Sequence, residues 1–298
     1  MKIIISILIV LINFLSCLGQ ISNSSDKLDD TQRSNNHEKM KASIYEVLVS
    51  QDIKYKHAKN YQGERQSLKL DVYQQQKGNK TMRPVIILVH GGGFASGEKG
   101  YTSAQGNFYP EMAKIFANHG FVAFSINYRL WPDCPIDSFP TELDNSISDV
   151  LAALKWIKRK NSEYNIDTMK IIIAGDSAGG GLVVNTAYRN TQLFTGVIDL
   201  WGGLPPYGIQ KTESNDVNAC PVSRLTPPTC IIHGSMDDVV PYSVSQRLSN
   251  TLTVAKVYNE LHPLPGAKHY PNNLSDQIFP IMIAFSEKIA FSKNPQNQ

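Results

Sequence analysis

Cysteine is scarce in this chain: four residues among 298. No Cys or His pair stands at the short spacing that zinc sites use, so local spacing points to no metal site. Charge of one sign is lacking too. Lys and Arg total 29 against 26 Asp and Glu, the formal charge is +3, and the basic residues are scattered without interleaved aromatics. That pattern excludes a nucleic-acid footprint. Neither G-x-x-x-x-G-K-S/T nor G-x-G-x-x-G occurs at the glycine-rich junction after Val89, which argues against a phosphate cradle there. Internal repeats and interdomain linkers are also missing.

The apolar run "IIISILIVLINFL" after Lys2 is shorter than the roughly 20 residues of a spanning helix. It ends in the small residues "SCLG" and gives way to polar sequence. Charge, apolar stretch and small-residue end are the order of a secretory signal, so residues 1–19 are expected to be removed between Gly19 and Gln20. A secreted or periplasmic protein follows, with lipoprotein attachment at Cys17 as the lesser alternative. Residues 20–42 read as a polar lead-in and 43–298 as one catalytic domain. Cys220 and Cys230 flank a Pro-containing loop that a disulfide would close in an oxidising compartment; alternatively Cys230 is a small buried residue. Asn23, Asn79 and Asn273 begin glycosylation sequons.

What is present is a chain that is 42% hydrophobic and alternates short β-branched runs with helical spacing. "SLKLDVY", "PVIILVHG", "FVAFSINY", "KIIIAGD", "TGVIDLWG", "TCIIHGS" and "AKVYNELH" read as strands. Several are apolar throughout, which a parallel sheet covered on both faces requires. In "DNSISDVLAALKWIKRK", Ile147, Val150, Leu151, Leu154 and Ile157 fall on one helical face. The fold class is therefore α/β, with active groups expected in loops at the carboxyl ends of strands.

Ser177 stands between a strand and a helix, bracketed by Gly175 and Gly179 as G-x-S-x-G. The small residues permit a strained turn that exposes the hydroxyl, and the helix amino terminus adds partial positive charge. A serine N-cap in a glycine-rich turn is the bland alternative. A nucleophilic serine needs a base and an acid. "HGSMDDVVP" supplies carboxylates after one strand and "PGAKHYPN" supplies His269 after the next, so the order is Ser, Asp, His. Asp237 is favoured over Asp238 because it lies nearer the strand end; Asp238 is then a solvated neighbour or a cap for the helix near Ser243. His233 abuts a strand and reads as packed, and His262 as a surface or packing residue, whereas a loop can swing His269 over the sheet. "HGGGF", His90 to Phe94 and including Gly91, follows another strand, and backbone N–H groups of Gly92, Gly93 and Ala178 are candidates to hold a developing oxyanion.

The set "HGGGF", "NYRL", "GDSAGG", "HGSMDDVVP" and "GAKH", in this order, resembles the alpha/beta-hydrolase superfamily, specifically the carboxylesterases and hormone-sensitive-lipase-like esterases. The resemblance runs from about Ser67 to the last helix. It implies a mostly parallel sheet of about eight strands, with Ser177 as nucleophile, Asp237 as acid, His269 as base and the glycines as oxyanion hole. It also implies that "NYRL", "FPTELDN" and Asp149 support the structure beside the site. No metal or organic cofactor is needed. Only about 25 residues separate "VIDLWG" from "TCIIHG", a functional loop in length and not a cap domain. A shallow site for short acyl or polymer-linked esters is the resulting expectation. A serine peptidase of the same fold, a lipase and a catalytically inactive binding protein are the competing readings.

Overall fold

The computed structural model describes residues 46–76, 81–100, 108–132, 138–203, 221–271 and 274–291. These fall in one compact unit, Tyr45–Gln298. The expected signal and lead-in, Cys17, Cys134, Cys220, the three sequon asparagines and most of the segment between "VIDLWG" and "TCIIHG" lie outside them. No described helix is long and apolar enough to cross a membrane.

In chain order the elements are β1 (Val47–Lys59), β2 (Arg65–Gln75), β3 (Arg83–Val89), α1 (Phe108–Asn118), β4 (Val122–Ile126), α2 (Phe139–Arg159), α3 (Asn161–Tyr164), β5 (Ile166–Asp176), α4 (Ala178–Arg189), β6 (Gly196–Leu200), β7 (Thr229–Gly234), α5 (Ser243–Val254), β8 (Asn259–Leu264), α6 (Leu274–Gln277) and α7 (Phe279–Phe291). They build an eight-stranded sheet ordered β1-β2-β4-β3-β5-β6-β7-β8. Pairs β1–β2 and β2–β4 are antiparallel and the rest are parallel. This is the mostly parallel α/β sheet expected from the apolar runs.

The continuous apolar strands are buried on both faces. Every residue of β3, β4, β6 and β7 is buried. One apolar layer joins Ile87, Val89 and Ile173 to Val150 and Ile157 of α2 and Leu182 of α4. The other joins Ile86, Leu88 and Ile198 to Met112 and Phe116 of α1 and Met282 of α7. The chain leaves β3 toward one side of the sheet and returns to β5 on the other. The loops after β3 and β5 therefore meet at the topological switch point, where ligands of such sheets bind.

Two strand assignments need correction. β1 was not foreseen: it is an edge strand with most residues exposed and two register shifts, and its lysines leave little apolar alternation to read. The run "AKVYNELH" becomes strand only at Asn259. Before that, Lys256 takes φ 59° and the Val257 amide donates to Leu252 O at 2.9 Å, so Ala255–Tyr258 closes helix α5. Arg129 of "NYRL" grips Asp149 through Nε at 2.7 Å and Nη2 at 2.9 Å, with Lys56 Nζ of β1 at 2.5 Å. That buried carboxylate ties the edge strand, the loop after β4 and α2 together. Cys230 is a free, buried thiol.

Candidate active site

The turn after β5 carries Ser177 at φ 50° and ψ −120°, a conformation L residues rarely adopt. Its amide donates to Leu200 O at 2.9 Å, and its carbonyl accepts from Gly181 at 3.1 Å and Gly203 at 3.2 Å, so β6 and α4 hold the strained residue from two sides. The flanking glycines have a steric cause. A Cβ on Gly179 would lie 2.3 Å from Val89 O and 2.5 Å from His90 O, and one on Gly175 would lie 2.5 Å from Gly179 O. The helix can start against β3 only because neither residue has a side chain. Gly179→Ala is therefore expected to destabilise the fold by about 1–3 kcal/mol or more through overpacking. At Gly93 a Cβ meets nothing within 4 Å, and its φ of +64° is the only obstacle. Thermal unfolding of Gly179→Ala beside Gly93→Ala checks this; a midpoint for Gly179→Ala equal to wild type contradicts the steric argument.

Ser177 Oγ lies 2.9 Å from Nε2 of His269, whose Nδ1 lies 2.8 Å from Oδ2 of Asp237. The Asp237 and His269 side chains are buried, and Ser177 is 6% exposed. With Nδ1–H donating to the carboxylate, Nε2 is the acceptor that faces the serine hydroxyl. Asp237 Oδ1 accepts the amides of Val239 and Val240, both at 2.8 Å. Burial pushes the Asp237 carboxyl up, but hydrogen bonds from His233 and His269 outweigh it and hold the group well below the usual carboxylate range. Asp238 points outward, with its side chain 56% exposed and Lys268 at 3.1 Å. It does not cap α5, whose N-cap residue is Tyr242.

His233 is packed, as its sequence position suggested, and it also touches the acid. Its Nε2 lies 3.0 Å from Asp237 Oδ2 and 2.9 Å from Val240 O, and its Nδ1 faces Ser245 Oγ at 2.7 Å. The arrangement gives Asp237 a second donor on the oxygen that faces His269. Only an i, i+4 His–Asp spacing hinted at this. His262 sits inside β8 with its Nε2 3.1 Å from Glu260.

In the loop after β3, Gly92 and Gly93 take φ +103° and +64°. A Cβ on Gly92 would lie 2.2 Å from Ser96 O, so only glycine fits. Among the described residues, the amides of Gly92, Gly93 and Ala178 donate to no backbone carbonyl outside helices and strands, and Ala178 opens α4, where no intrahelical acceptor exists. What holds this loop in place is Asp176, a residue that no local pattern singles out. Its Oδ1 accepts the Gly91 amide at 2.6 Å and meets the Tyr109 hydroxyl. The clamp ties the "HGGGF" loop to the residue preceding Ser177. Burial pushes the Asp176 carboxyl up. His90 stacks on Tyr128 with ring centroids 4.6 Å apart, and its Nδ1 lies 2.8 Å from Gly91 O. Burial lowers the His90 pKa to about 4, so the ring is neutral near pH 7. Tyr128 donates to His90 O at 2.9 Å.

A cavity of about 280 Å³ lies between this loop and the β1–β2 hairpin, lined by residues that include Tyr61, Leu68, His90 and Leu130. It borders neither Ser177 nor His269, so it is a neighbouring space and not the reacting centre.

A serine at a strained strand-to-helix turn, hydrogen-bonded to a histidine and placed at the switch point of this mostly parallel eight-stranded sheet, fits the alpha/beta-hydrolase fold. Comparison with known proteins agrees. Residues 70–201, which span β3, the elbow and β6, match the BD-FAE family model. Esterase LipC of Mycobacterium tuberculosis is 27% identical over 238 residues, covering 67% of this chain and 56% of LipC. The chain thus spans little more than half of that relative, and 27% of the arylacetamide deacetylase of Oryctolagus cuniculus, which is 34% identical over 121 residues. A truncated carbohydrate esterase from gut microbiota superposes with TM-score 0.64 at 20% identity, over 84% of this chain and 98% of that one. Esterase B from Lactobacillus rhamnosis, inhibited by a C4-C4 tributyrin phosphonate, gives 0.60 at 20% identity, over 88% and 94%.

Proposed function

We propose that this protein hydrolyses carboxylic esters by acyl transfer through Ser177. The observation that carries the reading is the hydrogen-bonded line from Ser177 through His269 to Asp237, and the amides of Gly92, Gly93 and Ala178 are the donors assigned to the oxyanion. In this reading Ser177 Oγ attacks the ester carbonyl carbon and passes its proton to His269 Nε2. Asp237 stabilises the imidazolium, and the three amides hold the oxyanion. Collapse breaks the bond to the alcohol oxygen, which leaves with the proton from His269. Water then attacks the acyl-enzyme, giving its proton to His269, and the acid is released as Ser177 recovers that proton.

Short acyl chains and polymer-linked esters are the proposed substrates. The brief segment between β6 and β7 supports this, as do the names of two neighbours, a carbohydrate esterase and an esterase inhibited by a tributyrin phosphonate. Export follows from the order of charge, apolar run and small residues at the amino terminus. A p-nitrophenyl ester series from acetate to palmitate, run on medium or periplasm and on cytoplasm, tests both points. Turnover is expected to peak at the short esters and to concentrate outside the cytoplasm. A peak at palmitate overturns the short-chain reading, and activity confined to the cytoplasm overturns export. Cleavage of peptide amides with no ester turnover favours the peptidase reading.

A further inference from the structure

Cys230, Glu260 and His262 converge on one face of the sheet, away from the triad. Cys230 and Glu260 are register partners in the parallel β7–β8 pair, and His262 lies two residues further along β8, on the same face as Glu260. A thiol sulfur, a carboxylate oxygen and an imidazole nitrogen from these residues all lie within 4.8 Å of one another. His262 Nε2 and Glu260 Oε2 are 3.1 Å apart. Around a tetrahedral ion with bonds of about 2.0–2.1 Å to nitrogen and oxygen, two such ligands stand about 3.3 Å apart. The two atoms therefore already span one edge of a coordination tetrahedron.

We propose that Cys230, Glu260 and His262 form a binding site for a borderline-soft divalent cation such as Zn²⁺. The donor set is the thiolate, imidazole and carboxylate combination that suits this ion, with a fourth position left for water. The surroundings fit the role. The Tyr258 hydroxyl donates to Glu260 Oε1 and orients the carboxylate, leaving Oε2 on the side of His262. Such outer hydrogen bonds position metal ligands. Lys288 Nζ lies 3.7 Å from Glu260 Oε1, donates to the Tyr258 hydroxyl and sits 4.3 Å from the Tyr258 ring centroid, so a cation bound by Glu260 would compete with this partly exposed ammonium. Binding through the sulfur would exchange the thiol proton for the ion. Cys230 is fully buried and Glu260 and His262 are half-buried, so entry is from the β8 side. A bound ion would pin the edge strand β8 to β7 at the end opposite the loops that carry Asp237 and His269.

The test uses tag-free full-length protein, stripped by chelation and dialysed against Zn²⁺ or Co²⁺. One ion per chain is expected. The Co²⁺ form should show thiolate-to-metal charge transfer in the near ultraviolet, and Zn²⁺ should raise the unfolding midpoint. All three signals should vanish in Cys230→Ser and in His262→Gln; the half-buried histidine variant guards against a folding defect from changing the core cysteine. Tyr258→Phe should weaken binding about 10- to 100-fold. Zn²⁺ affinity weaker than about 0.1 mM, or unchanged stoichiometry in His262→Gln, overturns the proposal.

Discussion

Ser177→Ala is expected to lower ester turnover by about 10⁵- to 10⁶-fold while leaving the unfolding midpoint within a degree or two of wild type. The change removes one oxygen. Alanine carries the same Cβ and tolerates φ 50° as well as serine does, and the bonds that hold the turn, from the Ser177 amide to Leu200 O and from Gly181 and Gly203 to the Ser177 carbonyl, are all main-chain. The glycine amides remain, so a residual rate above uncatalysed hydrolysis should survive, as expected when only the nucleophile is lost. A fluorophosphonate should label wild type at this serine and leave the variant unlabelled. Equal turnover, or equal labelling, would remove Ser177 from the mechanism.

Asp237→Asn is expected to lower turnover by about 10⁴-fold. Oδ1 of Asp237 accepts two amides and Oδ2 faces both His269 and His233, so every position around the carboxylate is an acceptor position. An asparagine must turn its NH₂ toward one of these donors. Facing His269, it pulls the ring into the tautomer with the proton on Nε2, and the base is lost at the serine. Asp238→Asn is the control. Its contact with Lys268 is exposed to solvent and screened, so turnover should stay within a factor of about two. If Asp238→Asn is the more damaging of the two, the acid is misassigned.

The same substitution carries a pH signature. The folded state holds the Asp237 carboxyl below its ordinary value of 3.8, because hydrogen bonds from His233 and His269 outweigh the burial that raises it. A depressed carboxyl contributes stability that is present above the unfolded pKa and lost as pH falls toward the folded one. Wild type should therefore lose unfolding midpoint more steeply than Asp237→Asn on acidification from about pH 5 to 3. Parallel slopes would mean that the contacts to His233 and His269 do not stabilise the charged form.

Much of the site was legible because its constraints are local. Gly175, Gly179 and Gly92 are forced by backbone atoms that approach where a Cβ would stand, and such requirements leave a glycine in the sequence at a fixed offset from the residue they serve. The apolar runs of β3, β4, β6 and β7 announced strands covered on both faces, and their order with the helices implied the parallel sheet. What no local pattern carried was contact between strands distant in sequence. Asp176 clamping Gly91, His233 resting on Asp237, and Cys230 beside Glu260 and His262 all depend on register and on which loops the switch point brings together. The lysine-rich edge strand β1 has no local signature for a related reason: it is held by pairing to β2 and by Lys56 on Asp149, not by an apolar alternation of its own. The sequence by itself determined the apolar central strands, the strained turn and the order of serine, acid and histidine, since each rests on the steric and hydrophobic demands of a few adjacent residues. Only the tertiary structure decided that Asp237 and not Asp238 turns inward, what anchors the glycine loop and which side chains meet across β7 and β8, because hydrogen bonds and ligand geometry exist only once register has fixed separate strands within a few ångströms.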